Sequence, residues 1–232
     1  MPILSILVDL AIPAHHALLT RLPFRALRTF LPPPSAGGTP RFAIIPGDVG
    51  DPAGSLGDVA MFSGLMHGLR QRHPGATFTI IGQGNHRITM PGIGEVPVIA
   101  AWHGIAGALA FDRAIRTHHG LFVMGADILD GKYGAALVAR IAAYCNHGVG
   151  LGIPVTIMGF SFNRHPRHAC VRALSRLHPD VIANVRDAIS LERFNRLTGV
   201  AGRLCADSAF LMPATADMRD KEVGAWISEQ RA

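Results

Sequence analysis

The chain has 232 residues, of which 49% are hydrophobic and 16% are charged. This composition is typical of a globular protein with one substantial core or two small ones, and it excludes a disordered chain. No apolar run reaches the ~20 residues of a membrane-spanning helix, so no transmembrane segment is predicted. The formal net charge is +6, but the arginines are dispersed with almost no aromatic residues between them, which argues against nucleic-acid binding.

The cysteines and histidines indicate the compartment and argue against a metal centre. Cys145, Cys170 and Cys205 lie far apart and include no C-x-x-C pair, so they support neither a zinc knuckle nor a disulfide framework. The 12 histidines include no H-E-x-x-H pattern, and no metal site is predicted. We therefore expect a cytoplasmic protein with buried, unreactive thiols.

Residues 1–40 differ in pattern from the rest of the chain. Apolar residues alternate with Arg21, Arg25 and Arg28, and a Pro- and Gly-rich linker follows at residues 32–38. This N-terminal extension is predicted to be helical, with two interpretations open. The helix packs on the domain, or it lies on an anionic membrane surface. The second interpretation implies a peripheral contact through residues 1–30 at the inner face of the membrane.

Residues 41–215 show apolar strands alternating with helices, and residues 216–232 form a polar tail. The alternation predicts an α/β domain with a mostly parallel Rossmann-like sheet and helices on both faces. Right-handed crossovers then gather the loops that follow the strands along one edge, where ligands bind. Strands are predicted at residues 42–46, 77–81, 96–100, 121–124, 155–158, 181–185 and, weakly, 204–206. Helices are predicted near residues 59–72, 104–116, 133–147, 168–178 and 191–197.

The most informative stretch is residues 41–72, which comprise a strand, a glycine-rich turn and an amphipathic helix. The turn ends in Gly54-Ser55-Leu56-Gly57-Asp58, which is neither a Walker loop nor a dinucleotide fingerprint. Backbone N–H groups at a helix start favour a bound anion, and Asp58 is the one carboxylate in the first turn. Asp58 is therefore a candidate to line a ligand site. Alternatively, it only stabilises the helix dipole.

A second candidate loop follows the strand at residues 121–124. Its small residues, beginning with Gly125, allow a ligand to approach the backbone, and Asp127 and Asp130 supply carboxylates. Asp127 is a candidate ligand-binding residue, although Asp130 and the glycine after it form an equally good turn sequence.

A third candidate segment ends the strand at residues 181–185 with Arg186 and Asp187. The planar fork of Arg186 suits a carboxylate or a phosphate, although an ion pair with a nearby residue such as Asp207 is an alternative. Asp187 is expected to cap the next helix.

Taken together, these segments resemble the polysaccharide pyruvyl transferase family. The resemblance runs from about Arg41 to Pro213 and depends on the order and spacing of its segments. It implies half of a glycosyltransferase-B-like architecture. It also implies an enzyme that transfers a pyruvyl group from phosphoenolpyruvate to a sugar as a ketal, in cell-surface polysaccharide biosynthesis. The matching segments are Gly54-Ser55-Leu56-Gly57-Asp58, Gly125, Gly152-Ile153-Pro154-Val155 with Met158-Gly159, Val185-Arg186-Asp187 with Ser190, and Ala206-Asp207-Ser208-Ala209-Phe210.

Ketal formation requires an acid for the enol carbon, a base for the sugar hydroxyls, and cations for the carboxylate and phosphate of the donor. Phosphoenolpyruvate is the donor substrate, no cofactor is expected, and the acceptor would be a glycan or a lipid-linked sugar. The catalytic candidates are Asp58 and Asp127, and the substrate-binding candidates are Gly54, Ser55, Gly57, Gly125 and Arg186.

The chain also departs from the family pattern. Ser55 stands where Asn is usual, Val59 where an acidic residue is usual, and Gly125-Ala126 where a Gly-Gly pair is common. Family members have a second Rossmann-like domain that carries much of the donor site, and we expect this chain to correspond to the N-terminal half. A non-catalytic glycan- or partner-binding remnant and a sugar-nucleotide glycosyltransferase fragment remain alternatives. The oligomeric state is open, and a homo-oligomer is one alternative.

Overall fold

The computed structural model describes residues 38–212, which form one eight-stranded sheet with helices on both faces. The strand order is β3-β4-β2-β1-β5-β6-β7-β8. All neighbouring strands pair in parallel except β3 and β4, which are antiparallel. The strands are β1 Arg41–Ile45, β2 Thr77–Gly82, β3 His86–Met90, β4 Gly94–Ala100, β5 Gly120–Ala126, β6 Val155–Phe160, β7 Ile182–Val185 and β8 Arg203–Leu204. The predicted mostly parallel, Rossmann-like sheet is confirmed.

Most connections between parallel strands contain a helix. These are α1 Leu56–Arg72, α2 Gly104–Ile115, α3 Ala135–Gly150, α4 His168–Leu174 and α5 Ala188–Thr198, and a 3-10 helix, Ser208–Leu211, follows β8. The ends of α5 show how local chemistry sets the boundaries. The Asp187 side chain accepts a hydrogen bond from the Ser190 backbone N–H, and Gly199 ends the helix with a left-handed φ of 72°.

The strand order reverses direction at β1. From β1 the chain passes through α1 to β2 on one side, and from β4 it returns through α2 to β5 on the other side of β1. The loops after β1 and β5 therefore leave the sheet in opposite directions and open a crevice between them. In open α/β sheets this switch point at the carboxyl ends of the strands is the usual ligand site.

Each face of the sheet buries its own hydrophobic cluster. On one face, α1 packs through Phe62 and Met66 on Ile44 and Ile80 of the central strands. The other face is covered by α2, α3, α4 and α5. The central strands are apolar on both faces because both are covered, which is why they read as continuous hydrophobic runs in the sequence.

Strand β3 was not predicted from the sequence, for a physical reason. Residues His86–Met90 form an edge strand in which only Met90 is buried, so the segment lacks the apolar pattern that marks the inner strands. It pairs with β4 across a turn at residues 91–93, and both Gly92 in the turn and Gly94 at the start of β4 have positive φ angles. The predicted helix at residues 168–178 ends earlier, at Leu174, and the predicted strand at residues 204–206 is β8 at Arg203–Leu204.

The predicted N-terminal helical extension, its linker as far as residue 37, and the polar tail at residues 216–232 lie outside the described residues. Among residues 38–212, no helix combines the length and the hydrophobicity that crossing a bilayer would require.

Candidate functional site

A cleft of about 660 Å³ opens at the carboxyl edge of the sheet, over the switch point between β1 and β5. The loops after several strands contribute to its wall. Asp48 follows β1, Gln83 follows β2, His103 follows β4, Tyr133 lies in the loop after β5, and Arg186 follows β7. Because parallel strands end at the same edge, residues far apart in sequence meet there.

Most of the candidate residues from the sequence analysis line this cleft. Ser55, Gly57 and Asp58 reach it from the start of α1, Asp127 from the loop after β5, and Arg186 from the loop after β7. The structure thus brings both candidate acids and the candidate anion-binding arginine to one cavity.

Gly54 and Gly125 are not among the residues that line the cleft. A Cβ on Gly54 would lie 2.6 Å from Oδ2 of Asp51, and a Cβ on Gly125 would collide with the carbonyl oxygen of Met158 in the neighbouring strand. Gly54 leaves room for the Asp51 side chain within its own exposed turn, and Gly125 allows β5 and β6 to pack closely. Neither glycine provides part of the cleft wall.

Ser55 and Asp58 form a reciprocal cap at the start of α1. The Asp58 N–H donates to Oγ of Ser55 over 3.0 Å, and the Ser55 hydroxyl donates to Oδ2 of Asp58 over 2.8 Å. This arrangement satisfies one free N–H group and places a negative charge against the positive end of the helix dipole. Asp58 therefore makes the contacts expected of a first-turn acid that stabilises the start of α1. The same contacts hold the Asp58 carboxylate in place at the cleft.

Asp127 lies in a small polar cluster at the rim of the cleft. Its Oδ2 accepts hydrogen bonds from Nζ of Lys132 at 3.2 Å and from the hydroxyl of Tyr133 at 3.5 Å. The hydrogen bond to Asp127 raises the pKa of the Lys132 ammonium, which therefore keeps its charge. Asp130 does not line the cleft. Its carboxylate accepts from the Lys132 backbone N–H, which is the turn role considered in the sequence analysis.

Arg186 is held from two sides. Its Nε donates to Oγ of Ser161 over 2.7 Å, and its Nη1 donates to Oδ2 of Asp207 over 3.1 Å, so the ion pair with Asp207 is present. Ser161 in turn donates to Asp187, the N-cap of α5. Burial opposes ionisation of Asp187, but hydrogen bonds from Ser190 and Ser161 and the charge of Arg186 hold its pKa below the ordinary value.

Sequence reasoning missed Arg140, which lies in α3 and lines the cleft although its side chain is buried. The signal was available, because Arg140 is the one charged residue in a stretch of α3 otherwise built from Ala, Leu, Val, Ile and Tyr. Arginines rarely occupy such buried positions, since a buried charge is costly unless compensated.

Ala126, at the end of β5, lines the cleft with a φ of 41°. Positive φ is the left-handed region that favours glycine, and an L-residue there is strained. The strained position coincides with the point where the pyruvyl transferase pattern commonly has a second glycine. Strain of this kind concentrates at ligand sites in proteins.

Other chemistry is limited in the described part of the chain. Residues 38–212 contain no group of three or more His, Cys, Asp or Glu side chains that could hold a metal ion. Cys145 and Cys170 are buried, and burial raises the pKa of Cys145 to about 12, so its thiol is unreactive at neutral pH. Cys205 is only partly buried, contrary to expectation.

No family model matches this chain, and no curated protein shows significant similarity to it. The resemblance to the pyruvyl transferases therefore depends on the quoted segments and their spacing, and it stays a prediction.

Proposed function

We propose that this chain is a pyruvyl transferase-like protein that takes part in the transfer of a pyruvyl group from phosphoenolpyruvate to a sugar, as a ketal. The observation that carries the proposal is that Asp58, Asp127 and Arg186, from three separate loops, line one cleft at the switch point of the sheet. Two carboxylates and a fixed guanidinium in one cavity suit a ligand pair that combines hydroxyl groups with an anion.

The proposed reaction adds two sugar hydroxyls to the enol carbon of the donor. C3 of phosphoenolpyruvate gains a proton and becomes a methyl group, the bond between C2 and the phosphate oxygen breaks, and two sugar oxygens bond to C2. The two sugar hydroxyls release two protons. One of them balances the proton added to C3, and the other protonates the departing phosphate. The products are the ketal and inorganic phosphate.

The proposed roles follow from how each side chain is held. Asp58, fixed by Ser55, accepts a proton or a hydrogen bond from a sugar hydroxyl. Asp127 binds a second hydroxyl at the rim, beside the charged Lys132. Arg186, oriented by Ser161 and Asp207, binds the carboxylate or the phosphate of the donor.

The proposed acceptor is a glycan or a lipid-linked sugar used for cell-surface polysaccharide. A lipid-linked acceptor would place the reaction in the cytoplasm at the inner face of the membrane, where residues 1–30 would make the peripheral contact considered above.

The proposal is tested by titrating phosphoenolpyruvate into the purified chain in a calorimeter, with pyruvate, UDP-glucose and GDP-mannose as comparison ligands. Saturable binding of phosphoenolpyruvate in preference to pyruvate is the expected result. An absence of binding heat would instead favour the non-catalytic remnant, and preferential binding of a sugar nucleotide would favour the glycosyltransferase alternative.

A second experiment addresses Asp58 and measures phosphate release from phosphoenolpyruvate with a panel of sugar acceptors. Asp58→Asn should abolish acceptor-dependent phosphate release while leaving the affinity for phosphoenolpyruvate within about twofold, because Asn keeps the shape but cannot act as a base. Unaltered turnover would remove Asp58 from the proposed mechanism.

A further inference from the structure

Arg140 places a permanent positive charge in the wall of the cleft. It lies in the second turn of α3, only 2% of its surface is exposed, and it lines the cavity. Because a guanidinium stays protonated in proteins, burial changes the environment of this charge and does not remove the charge. Electrostatic attraction is stronger in such a poorly solvated wall than it is in water.

Aromatic rings form part of the surroundings of this charge. The guanidinium carbon lies 5.8 Å from the ring centroid of Trp102 and 5.9 Å from that of Tyr144. The Tyr144 hydroxyl donates to the carbonyl oxygen of Ala101 over 2.8 Å, and burial raises the pKa of this phenol, so the ring stays neutral. The rings stabilise the cation and help to hold it in position.

The start of α3 adds to the positive potential beside Arg140. Ala136 and Leu137 in its first turn line the same cleft, and Gly134 at the N-cap supplies no side chain to cap the backbone N–H groups. The first turn of α3 also contains no acidic residue. Arg140 follows Gly134 by six residues, roughly 9 Å along the helix axis, so both act on the same part of the cavity.

The start of α1 contrasts with the start of α3. The N-terminus of α1 already carries its own carboxylate, Asp58, and its own cap, Ser55. The two helices thus present opposite chemistry to one cleft: an acid that suits hydroxyl groups at α1, and a buried cation with helix amides that suits an anion at α3.

We propose that Arg140 is a second anion-binding residue of the cleft, besides Arg186, and that it takes the phosphate or the carboxylate of a small ligand. The proposal depends on the guanidinium of Arg140, and the backbone amides at the start of α3 add to the attraction for an anion. The hydroxyl-bearing ligand then occupies the Asp58 side. Assigning the anion to phosphoenolpyruvate rests on the proposed function, whereas the anion site itself does not.

The test uses the full chain and inorganic phosphate, phosphoenolpyruvate and UDP as probes in calorimetric titrations. The Arg140→Met variant removes the charge but keeps much of the side-chain bulk, and Arg140→Lys keeps the charge without the planar fork. Arg196→Gln, at an exposed position in the last turn of α5, is the matched control for losing one positive charge. We expect Arg140→Met to weaken binding of the phosphate-bearing probes at least tenfold, Arg140→Lys to be intermediate, and Arg196→Gln to match the wild type.

A measurement on the unaltered site keeps the test decisive if Arg140→Met does not fold. Because the chain has only two tryptophans, Trp226→Phe makes Trp102 the single tryptophan reporter, next to the guanidinium. Saturating phosphate should change its emission. An unchanged emission, or wild-type affinity in a folded Arg140→Met variant, would overturn the anion site. Binding of phosphate and UDP but not of phosphoenolpyruvate would leave the Arg140 site standing and contradict the pyruvyl transfer proposal.

Discussion

Nη1 of Arg186 donates to Oδ2 of Asp207 over 3.1 Å, and this ion pair joins the residue after β7 to the N-cap of the 3-10 helix. Gly159 allows the two segments to approach, since a Cβ there would lie 3.3 Å from the Ala206 carbonyl oxygen and 3.5 Å from Cβ of Arg186. The side chains of the pair are only 32% and 17% exposed. Asp207 therefore helps to set the direction of the arginine that reaches the cleft.

Asp207→Asn should disturb the cleft more than the fold. Asn keeps an oxygen that can accept from the Ala209 N–H, but it loses the charge that orients Arg186. We expect the free energy of unfolding to change by about 1 kcal/mol or less, and the affinity for phosphoenolpyruvate to fall about fivefold, because a charge-assisted contact is lost. Calorimetric titration and urea unfolding measure the two effects.

The control for Asp207→Asn is Glu95→Gln, which removes the exposed ion pair with Arg87 far from the cleft. Glu95→Gln should change neither the free energy of unfolding nor the affinity for phosphoenolpyruvate. Equal affinities for Asp207→Asn and the wild type would show that Asp207 does not position Arg186 for ligand binding.

Ala126→Gly should be neutral or stabilising, although Ala to Gly changes usually destabilise. The φ of 41° at Ala126 costs about 1–2 kcal/mol for an L-residue, and glycine avoids this strain at an entropic cost of about 0.5–1 kcal/mol. The free energy of unfolding should therefore rise by roughly 0–1 kcal/mol, measured by urea titration. The matched control, Ala143→Gly inside α3, should lose about 1 kcal/mol. A loss at Ala126→Gly as large as in the control would contradict the assigned strain.

Gly64 in α1 is the contact point for the 3-10 helix. A Cβ on Gly64 would collide with the carbonyl oxygen of Ser208, whose own hydroxyl donates to the Met61 carbonyl over 3.0 Å. Gly64→Ala should therefore destabilise the protein by about 1–3 kcal/mol, because backbone must shift to make room. Thermal unfolding measures the loss.

Gly68, one turn later in α1, provides the comparison. A Cβ there would meet only the tip of the Leu211 side chain, at 3.1 Å, and Leu211 is half exposed and able to move. Gly68→Ala should therefore be neutral, or stabilising by up to about 1 kcal/mol from helix propensity. If both alanine variants unfold at the same temperature, the packing of the 3-10 helix on α1 does not contribute as described.

Asp112 should make the protein sensitive to acid. Burial alone would raise the pKa of this carboxyl, but hydrogen bonds from His147 at 2.7 Å and Arg116 at 2.8 Å outweigh burial and lower the pKa below 3.8. Since the folded-state pKa is the lower one, this stabilisation is present above about pH 4 and is lost as the pH falls through the folded-state value. Urea titrations at a series of pH values measure it.

Asp112→Asn should lose about 3–5 kcal/mol at pH 7, because the buried His147 and the partly buried Arg116 no longer face a carboxylate charge. Its free energy of unfolding should also depend less on pH below 4 than that of the wild type. Asp180→Asn, at a side chain that is 76% exposed, serves as the control and should keep the wild-type pH dependence. Parallel pH profiles for Asp112→Asn and the wild type would exclude the assigned role.

The sequence by itself determined the fold class, because the buried parallel strands and their helices leave local, periodic patterns that survive without tertiary contacts. It also indicated the Asp187 cap, since the cap acts on an N–H only three residues away. By contrast, β3 was invisible to this reasoning, because an exposed edge strand has no apolar pattern and is defined only by its pairing with β4.

Only the tertiary structure decided the composition of the cleft. The cleft brings together Asp58, Asp127 and Arg186, which are distant in sequence, because parallel strands end at one edge of the sheet. Gly54 and Gly125 belong to the same motifs but do not line the cleft. Arg140 became a candidate only when α3 packed so that its buried charge met the cavity. The sequence shows an isolated arginine in an apolar stretch of α3, but whether that arginine meets a cavity depends on how whole elements pack.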